Sequence, residues 1–380
     1  MGNSLRNFAS TNATNTTNAK IAQIAQIAQI AQLSSEQVNE YIKDITTKNI
    51  KFIFEENQRS TRENKDTTNI LKDLDEVGYC ILKGLEGHEE ASTIYNQIVK
   101  DIQIFLLGSS KTVNDLHELY MYDNKGNIPR TGGGIVSAYE RFYHTRGQWM
   151  IRSNPILLNA ISNVFGISEE NLICSFDTIG MRWAPELVVD KQESLNIHID
   201  QALSDIPFRY YQGLYTVTDS STDEDGGLCV YPSSHKLHGV ELAELLELDK
   251  DAKFTYYPDK LFDYFPTLKP LKLNINAGNF VLWDSRTAHG SQPIALDRNK
   301  ITIMKKDKLI NVFKYNRLVQ YICYSDRSKS TKDQLNIRKK AYNNGYGTNH
   351  MANDPHIMEI ESHTDLEYDE YCNKYHESLI

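Results

Sequence analysis

Asn196-Ile197-His198-Ile199-Asp200, read with Arg286-Thr287-Ala288-His289-Gly290 far downstream, supplies residue types that could hold a metal. Residues two apart on a strand point the same way, so His198 and Asp200 present an imidazole and a carboxylate side by side, with Ile199 turned away. A second imidazole from a distant strand would complete two nitrogens and one oxygen on one face of a metal. His289 directly follows the best strand pattern in the chain. Such a set leaves the opposite face of the metal open, a geometry associated with non-haem Fe(II) chemistry. Either histidine alone reads as a hydrogen-bonded structural residue; only the set reads as a metal face.

Other histidine pairs read differently. His363-Thr364-Asp365 repeats the spacing, but in an acidic stretch with no strand pattern, and it reads as solvated surface. His235-x-x-His238 follows Pro232-Ser233-Ser234 and reads as a turn.

The elements that must position these residues are legible in outline. Residues 1–20 are polar and low in complexity, and 21–32 are four copies of Ile-Ala-Gln. A period of three does not match the helical 3.6, so the isoleucines form no fixed stripe. Residues 1–68 are therefore expected to be a disordered or helical extension outside the chemistry. From Asn69 the chain looks globular. Ile70, Leu71 and Leu74 suggest a short helix that ends at Gly78, ahead of a strand at Tyr79-Cys80-Ile81-Leu82. Helices are expected over 88–107 and 148–165. Ile173 to Trp183 reads as one long strand, followed by Tyr210 to Thr218, Leu228 to Tyr231, Phe280 to Trp283 and Leu318 to Tyr324. Strands with long connections after a helical half suggest a double-sheet jelly roll with helices packed outside it. Its helical part is expected at 69–170 and its core at 171–326, with 327–380 a tail of no clear pattern.

Composition narrows the chemistry. Hydrophobic residues are 40% and charged residues 24%, ordinary for a folded soluble chain. A net charge of −9 argues against non-specific nucleic-acid binding. Five widely spaced cysteines without Cys-x-x-Cys read as reduced thiols, so a cytoplasmic location is expected. No apolar run approaches the roughly 18–20 residues of a membrane span, and no protein partner is identifiable.

Four blocks together resemble the phytanoyl-CoA dioxygenase family of Fe(II)- and 2-oxoglutarate-dependent oxygenases, over roughly Leu71 to Tyr324. They are Gly78-Tyr79-Cys80-Ile81-Leu82-Lys83-Gly84, His198-x-Asp200, the run from Asp225-Gly226-Gly227 to Pro232-Ser233-Ser234-His235-Lys236, and Ala277-Gly278-Asn279-Phe280-Val281-Leu282-Trp283-Asp284 leading to His289. The resemblance implies a double-stranded β-helix (jelly roll) in which His198, Asp200 and His289 hold Fe(II). It implies 2-oxoglutarate and O2 as co-substrates, with ascorbate as a further cofactor. The implied reaction is hydroxylation of a small organic or lipid-like substrate with release of succinate and CO2. A carboxylate at Asp200 favours hydroxylation over halogenation.

The family also has an arginine at the start of the last core strand that pairs with the far carboxylate of 2-oxoglutarate. A dicarboxylate held by metal at one end needs a fixed cation at the other. Arg298 stands nearer the usual distance after the second histidine, but in a polar segment. Arg317 opens the only strand long enough to close the sheet, and it is the residue chosen, with 297–315 read as an insertion. By position Ser291 and Tyr215 would line the co-substrate pocket, helped by Met181 and Ile179. Arg141 and Arg152 are candidate substrate contacts. Lys300, Lys305, Lys306 and Lys308 read as solvated charge. For the cluster of Tyr256, Tyr257, Phe262, Tyr264 and Phe265, a lid and simple packing are equally supported. Two alternatives stay open: an inactive jelly-roll metal-binding protein, and a cupin-like metalloenzyme that does not use 2-oxoglutarate.

Overall fold

The computed structural model describes residues 60–63, 65–83, 88–107, 135–136, 143–182, 196–222, 225–266, 268–292, 317–358 and 379–380. Two compact units are present: Met1–Glu56 with Pro258–Lys269, and Asn57–Tyr257 with Pro270–Ile380. In the first unit, the described part holds one short helix, Leu261–Tyr264, which carries Phe262 and is followed by Phe265. The described strands all lie in the second unit.

Its first five strands are β1 (Thr61–Glu63), β2 (Tyr79–Lys83), β3 (Ile135–Val136), β4 (Leu172–Cys174) and β5 (Ile179–Arg182). Next come β6 (His198–Ile199), β7 (Tyr211–Thr216), β8 (Gly227–Val230), β9 (Thr255–Tyr256), β10 (Leu271–Lys272), β11 (Phe280–Asp284) and β12 (His289–Gln292). The last are β13 (Arg317–Tyr321), β14 (Tyr324–Asp326), β15 (Gly347–Thr348) and β16 (Ile357–Met358). The larger sheet runs β1-β2-β11-β7-β13-β5-β3, with β14 joining β4 to β7; the smaller runs β10-β8-β12-β6-β9. The β15–β16 hairpin stands apart from both.

Helices α1 (Thr67–Glu76), α2 (His88–Leu107), α3 (Arg146–Arg152) and α4 (Pro155–Phe165) cover one face of the larger sheet. Ile70, Ile94, Trp149 and Leu157 from these helices pack with Cys80, Leu82, Phe280, Leu282, Tyr215 and Leu318 from the strands. The period-two alternation of the strands leaves the other face to Trp283, Gln212, Thr216 and Val319, which are paired across β11, β7 and β13 by register. That inner face meets the smaller sheet, since the Trp283 ring lies 5.3 Å from the ring of His289.

Two expected elements are divided. The helix over 148–165 is two helices, because Asn154 accepts hydrogen bonds from the amides of Ile156 and Leu157 and Pro155 starts a new helix. The long strand from Ile173 is β4 and β5, separated at 175–178. There the backbone leaves the sheet and the Asp177 carbonyl accepts from Gln148, Arg152 and Gln320.

The stretch beyond Asp326, which has no clear pattern in the sequence, folds back on the core. Thr331 and Gln334 form a capping box that starts helix α5 (Lys332–Asn343). From this helix the fully buried Arg338 donates to the carbonyls of Cys174, Ala352, Leu379 and Ile380. Thr348 exchanges hydrogen bonds with the backbone of Phe176. Among the described residues no helix is long and apolar enough to cross a membrane.

Candidate metal centre

His289 is delivered to its place by a turn that two distant segments tie down. The Gly78 carbonyl accepts from the Asp284 amide at 2.9 Å and from the Thr287 hydroxyl at 3.0 Å. Gly78 has a φ of +85°, and a Cβ there would sit 2.5 Å from both His235 Nδ1 and Thr287 Oγ1, so only glycine fits. Ser234 Oγ accepts from the Ala288 amide, and the Ser233 amide donates to the Val77 carbonyl. Asp284 also holds Arg286 through a two-pronged contact, at 2.8 Å to Nε and 2.6 Å to Nη2. His235 and His238 each place Nε2 on backbone carbonyls, of Asp75 and of Ala202 and Asp205, in keeping with the turn reading.

Strands β6 and β12 are antiparallel neighbours, with His198 and His289 directly opposite each other. Their ring centroids are 4.3 Å apart. Asp200, two residues beyond His198, puts Oδ2 3.4 Å from His289 Nε2. One ligand atom from each of His198, Asp200 and His289 lies within 4.8 Å of the others. The backbone orients both rings. His198 Nδ1 is 2.6 Å from the Asn196 carbonyl, and His289 Nδ1 is 3.0 Å from the Thr287 carbonyl. Each Nδ1 therefore carries the hydrogen, and each Nε2 keeps its lone pair for a metal. Asn196 sits at φ 47°, a left-handed conformation that asparagine tolerates better than most residues and that aims its carbonyl at the ring.

The carboxylate is held as firmly. Gln212 Nε2 donates to Asp200 Oδ2 at 2.5 Å, and Trp283 Nε1 donates to Gln212 Oε1 at 2.8 Å, which settles the orientation of the amide. Burial pushes the Asp200 carboxyl up. The contact with His289 and the charges at His350, His289 and His198 outweigh it and hold the group well below the usual carboxylate range. Two imidazoles and one carboxylate, each braced from behind, form a donor set that suits Fe(II).

Residues 189–300 match the family model of phytanoyl-CoA dioxygenase (PhyH). The matched stretch contains all three residues of the candidate metal face, while Arg317 lies beyond it. Among curated proteins, the chain is 24% identical over 239 residues to Ava biosynthesis cluster protein O of Aspergillus versicolor, covering 58% of this chain and 67% of that protein. Among solved structures, the putative oxidoreductase of Salmonella typhimurium LT2 aligns over 90% of both chains at 12% identity, with a TM-score of 0.54. That likeness concerns the fold alone. The epimerase SnoN, solved with Fe3+, alpha ketoglutarate and nogalamycin RO, aligns over 68% of this chain and 83% of its own at 14% identity, with a TM-score of 0.40.

The other candidates of the sequence fall on both sides of the larger sheet. Arg317 shares the inner face with Val319, which pairs with Thr216 two residues beyond the inner face's Leu214. It is 5% exposed, and among the described residues its buried Nε has no hydrogen-bond partner. Ser291 lies two residues beyond His289 on β12, on the same face, and its buried Oγ also lacks a partner. Tyr215 and Ile179 do not line the pocket. They belong to the apolar cluster under the helices, because Tyr215 is an odd number of residues from Gln212 and Ile179 pairs with Gln320 on the helix side. Position Met181 is set opposite Leu318 in the same register, and its side chain is outside the described set. Arg152 is placed in the interior. It is fully buried, with Nη1 on the Tyr143 carbonyl, Nη2 on the Asp177 carbonyl, and its guanidinium over the Trp149 ring. Arg141, Arg298, Lys300, Lys305, Lys306, Lys308 and His363 lie outside the described residues.

Sequence reasoning missed Asp177 and His350. His350 Nδ1 is 2.9 Å from Asp177 Oδ1, and Ser175 Oγ donates to Asp177 Oδ2. Burial works against the charged form of His350, but the Asp177 carboxylate holds it above the ordinary histidine range. A signal did exist: the Thr331-x-x-Gln334 capping box marks the segment before it as folded.

The metal face carries a pH signature. Burial, with His289 adding to it, pushes His198 down to about 4. The folded chain thus binds this proton less well than the unfolded chain, whose histidines titrate near about 6.5. Stability is full above that value and falls as pH drops from there to about 4. His238, also pushed down to about 4, shares this window. Thermal melts of the metal-free chain should show the midpoint falling across it, and His198→Asn should remove part of the slope.

Proposed function

We propose that this chain is an Fe(II)- and 2-oxoglutarate-dependent dioxygenase that hydroxylates a small organic or lipid-like substrate. We read its two facing sheets as a double-stranded β-helix occupying 171–326, with the helical part at 69–170 and a cytoplasmic location. The observation that carries this reading is the pair of imidazoles whose Nδ1 atoms are both committed to backbone carbonyls beside the braced Asp200. His198, Asp200 and His289 would hold the iron. When bound, Fe(II) with 2-oxoglutarate and O2 supplies an oxidative decarboxylation, to succinate and CO2, coupled to C–H hydroxylation.

The remaining roles fall to this chain's own polar atoms. A guanidinium as buried as Arg317, with an orphan Nε, fits a ligand carboxylate. The orphan Ser291 hydroxyl can donate to the same molecule. Gln212 and Trp283 keep the Asp200 carboxylate in one orientation. Such outer partners are worth about 10–100-fold in metal affinity.

Adding Fe(II) and 2-oxoglutarate anaerobically to metal-free protein is expected to produce the weak visible charge-transfer band of an iron–2-oxo-acid chelate. His289→Ala should lack it. A folded, iron-binding protein with no band would overturn the co-substrate and favour a cupin-like or binding role.

A further inference from the structure

We propose that Phe254, Tyr256 and His350 form a substrate subsite beside the metal face, for a planar apolar molecule carrying a carboxylate or carbonyl oxygen. The proposal takes its location from the metal reading above.

The apolar side comes from β9, the edge strand of the smaller sheet. Tyr256 is directly opposite His198 in register, and Phe254, two residues before it, shares that face. The Phe254 and Tyr256 rings lie 4.8 and 6.0 Å from the His198 ring and meet each other edge to face at 4.7 Å. Thr255, between them, is buried on the opposite face together with Ile199. Despite this fixed setting, Phe254 is 45% and Tyr256 59% exposed. Two adjoining rings left open beside a candidate metal ligand form an apolar wall that a flat molecule can cover, and aromatic rings gain most from such a partner.

The polar side comes from the C-terminal segment. His350 follows β15, and its side chain is 43% exposed although Asp177 fixes Nδ1. Among the described residues nothing pairs with Nε2, on the opposite edge of the ring. With Nδ1 at Asp177, Nε2 is the ring nitrogen left to meet a ligand, and the protonated ring offers it as a donor to an acceptor oxygen. The two sides are neighbours: Lys253 Nζ, next to Phe254, is 3.0 Å from His356 Nε2, and His356 closes the loop carrying His350 through two hydrogen bonds with Asn349.

Calorimetric titration of the metal-free full chain with 2-naphthoate, and with acetate as an acceptor lacking a ring, tests this. Saturable naphthoate binding is expected, with acetate much weaker. His350→Ala and Phe254→Ala should each weaken naphthoate binding about tenfold, and His350→Gln, which keeps a donor, should restore most of the loss. Binding should persist in Arg317→Met. Thermal melts confirm folding, and Tyr256→Ser, at an exposed edge position, serves as a second probe if His350→Ala does not fold. Absence of saturable binding, indifference to all three positions, or loss in Arg317→Met alone would overturn the subsite. The charge-transfer band of the unmodified chain is a separate measurement. Its failure removes the 2-oxoglutarate reading and leaves the calorimetric result standing.

Discussion

Asp200→Ala is expected to abolish 2-oxoglutarate turnover and to weaken Fe(II) binding by more than about 100-fold, since direct ligands count for more than the outer partners worth about 10–100-fold. Two effects combine. The carboxylate is the only oxygen donor of the three-residue set, and its negative charge offsets that of the metal. Its removal also leaves Gln212 Nε2, now 2.5 Å from Asp200 Oδ2, buried without its acceptor. A buried donor left in that state costs about 1–3 kcal/mol, so the variant should melt lower even without metal. Succinate release and iron content of the purified variant check the first effect, and a melt of the metal-free protein checks the second. Retained turnover would sink the assignment of Asp200. A lower melting point with normal turnover would leave it a structural residue only.

Arg317→Met should separate binding from stability in opposite directions. A buried guanidinium whose Nε has no partner is a cost to the ligand-free fold. Methionine of similar reach removes that cost, so the melting point of the ligand-free variant should hold or rise. Binding of 2-oxoglutarate should weaken by about 2 kcal/mol or more, roughly 30-fold, because the far carboxylate would lose a buried cation. Titrating the charge-transfer band with 2-oxoglutarate reads this directly: the same band should appear at much higher concentration. An unchanged half-saturation would move the anchor elsewhere, with Arg298 the next residue to replace.

The two effects differ in origin. Asp200 belongs to a set whose members are all braced by neighbours, so its loss damages both site and fold. Arg317 is held by strand pairing, and among the described residues its buried Nε has no hydrogen-bond partner. A residue that costs stability without its ligand is one of the more direct structural signs of a binding role.

Much of this was legible in the residues themselves. The His198-x-Asp200 spacing on a strand fixes a shared face by backbone geometry, with no tertiary information needed. The Gly-Gly turn before β8 and the Asn154-Pro155 cap are local and readable. Parity also separates Tyr215 from Gln212 on one strand, but it tells which residues share a face and not which face is turned inward.

Only the tertiary structure decided the rest. His198 and His289 become neighbours through strand register, a long-range choice made by packing on both sides of the sheets. Gly78, the Pro232–His235 turn and the Asp284–Thr287 turn are separate motifs in the chain, and contact alone shows that they share one task, holding His289. Arg152 and Arg317 are both buried arginines, and of the two, among the described residues, only Arg152 places its terminal nitrogens on backbone carbonyls; no sequence pattern separates them. His350 is set against Asp177 from a segment whose hydrophobic pattern is weak, because Arg338 anchors that segment by hydrogen bonds to four carbonyls and not by an apolar stripe. Local spacing determined which side chains could act together, and long-range pairing and burial determined which of them do.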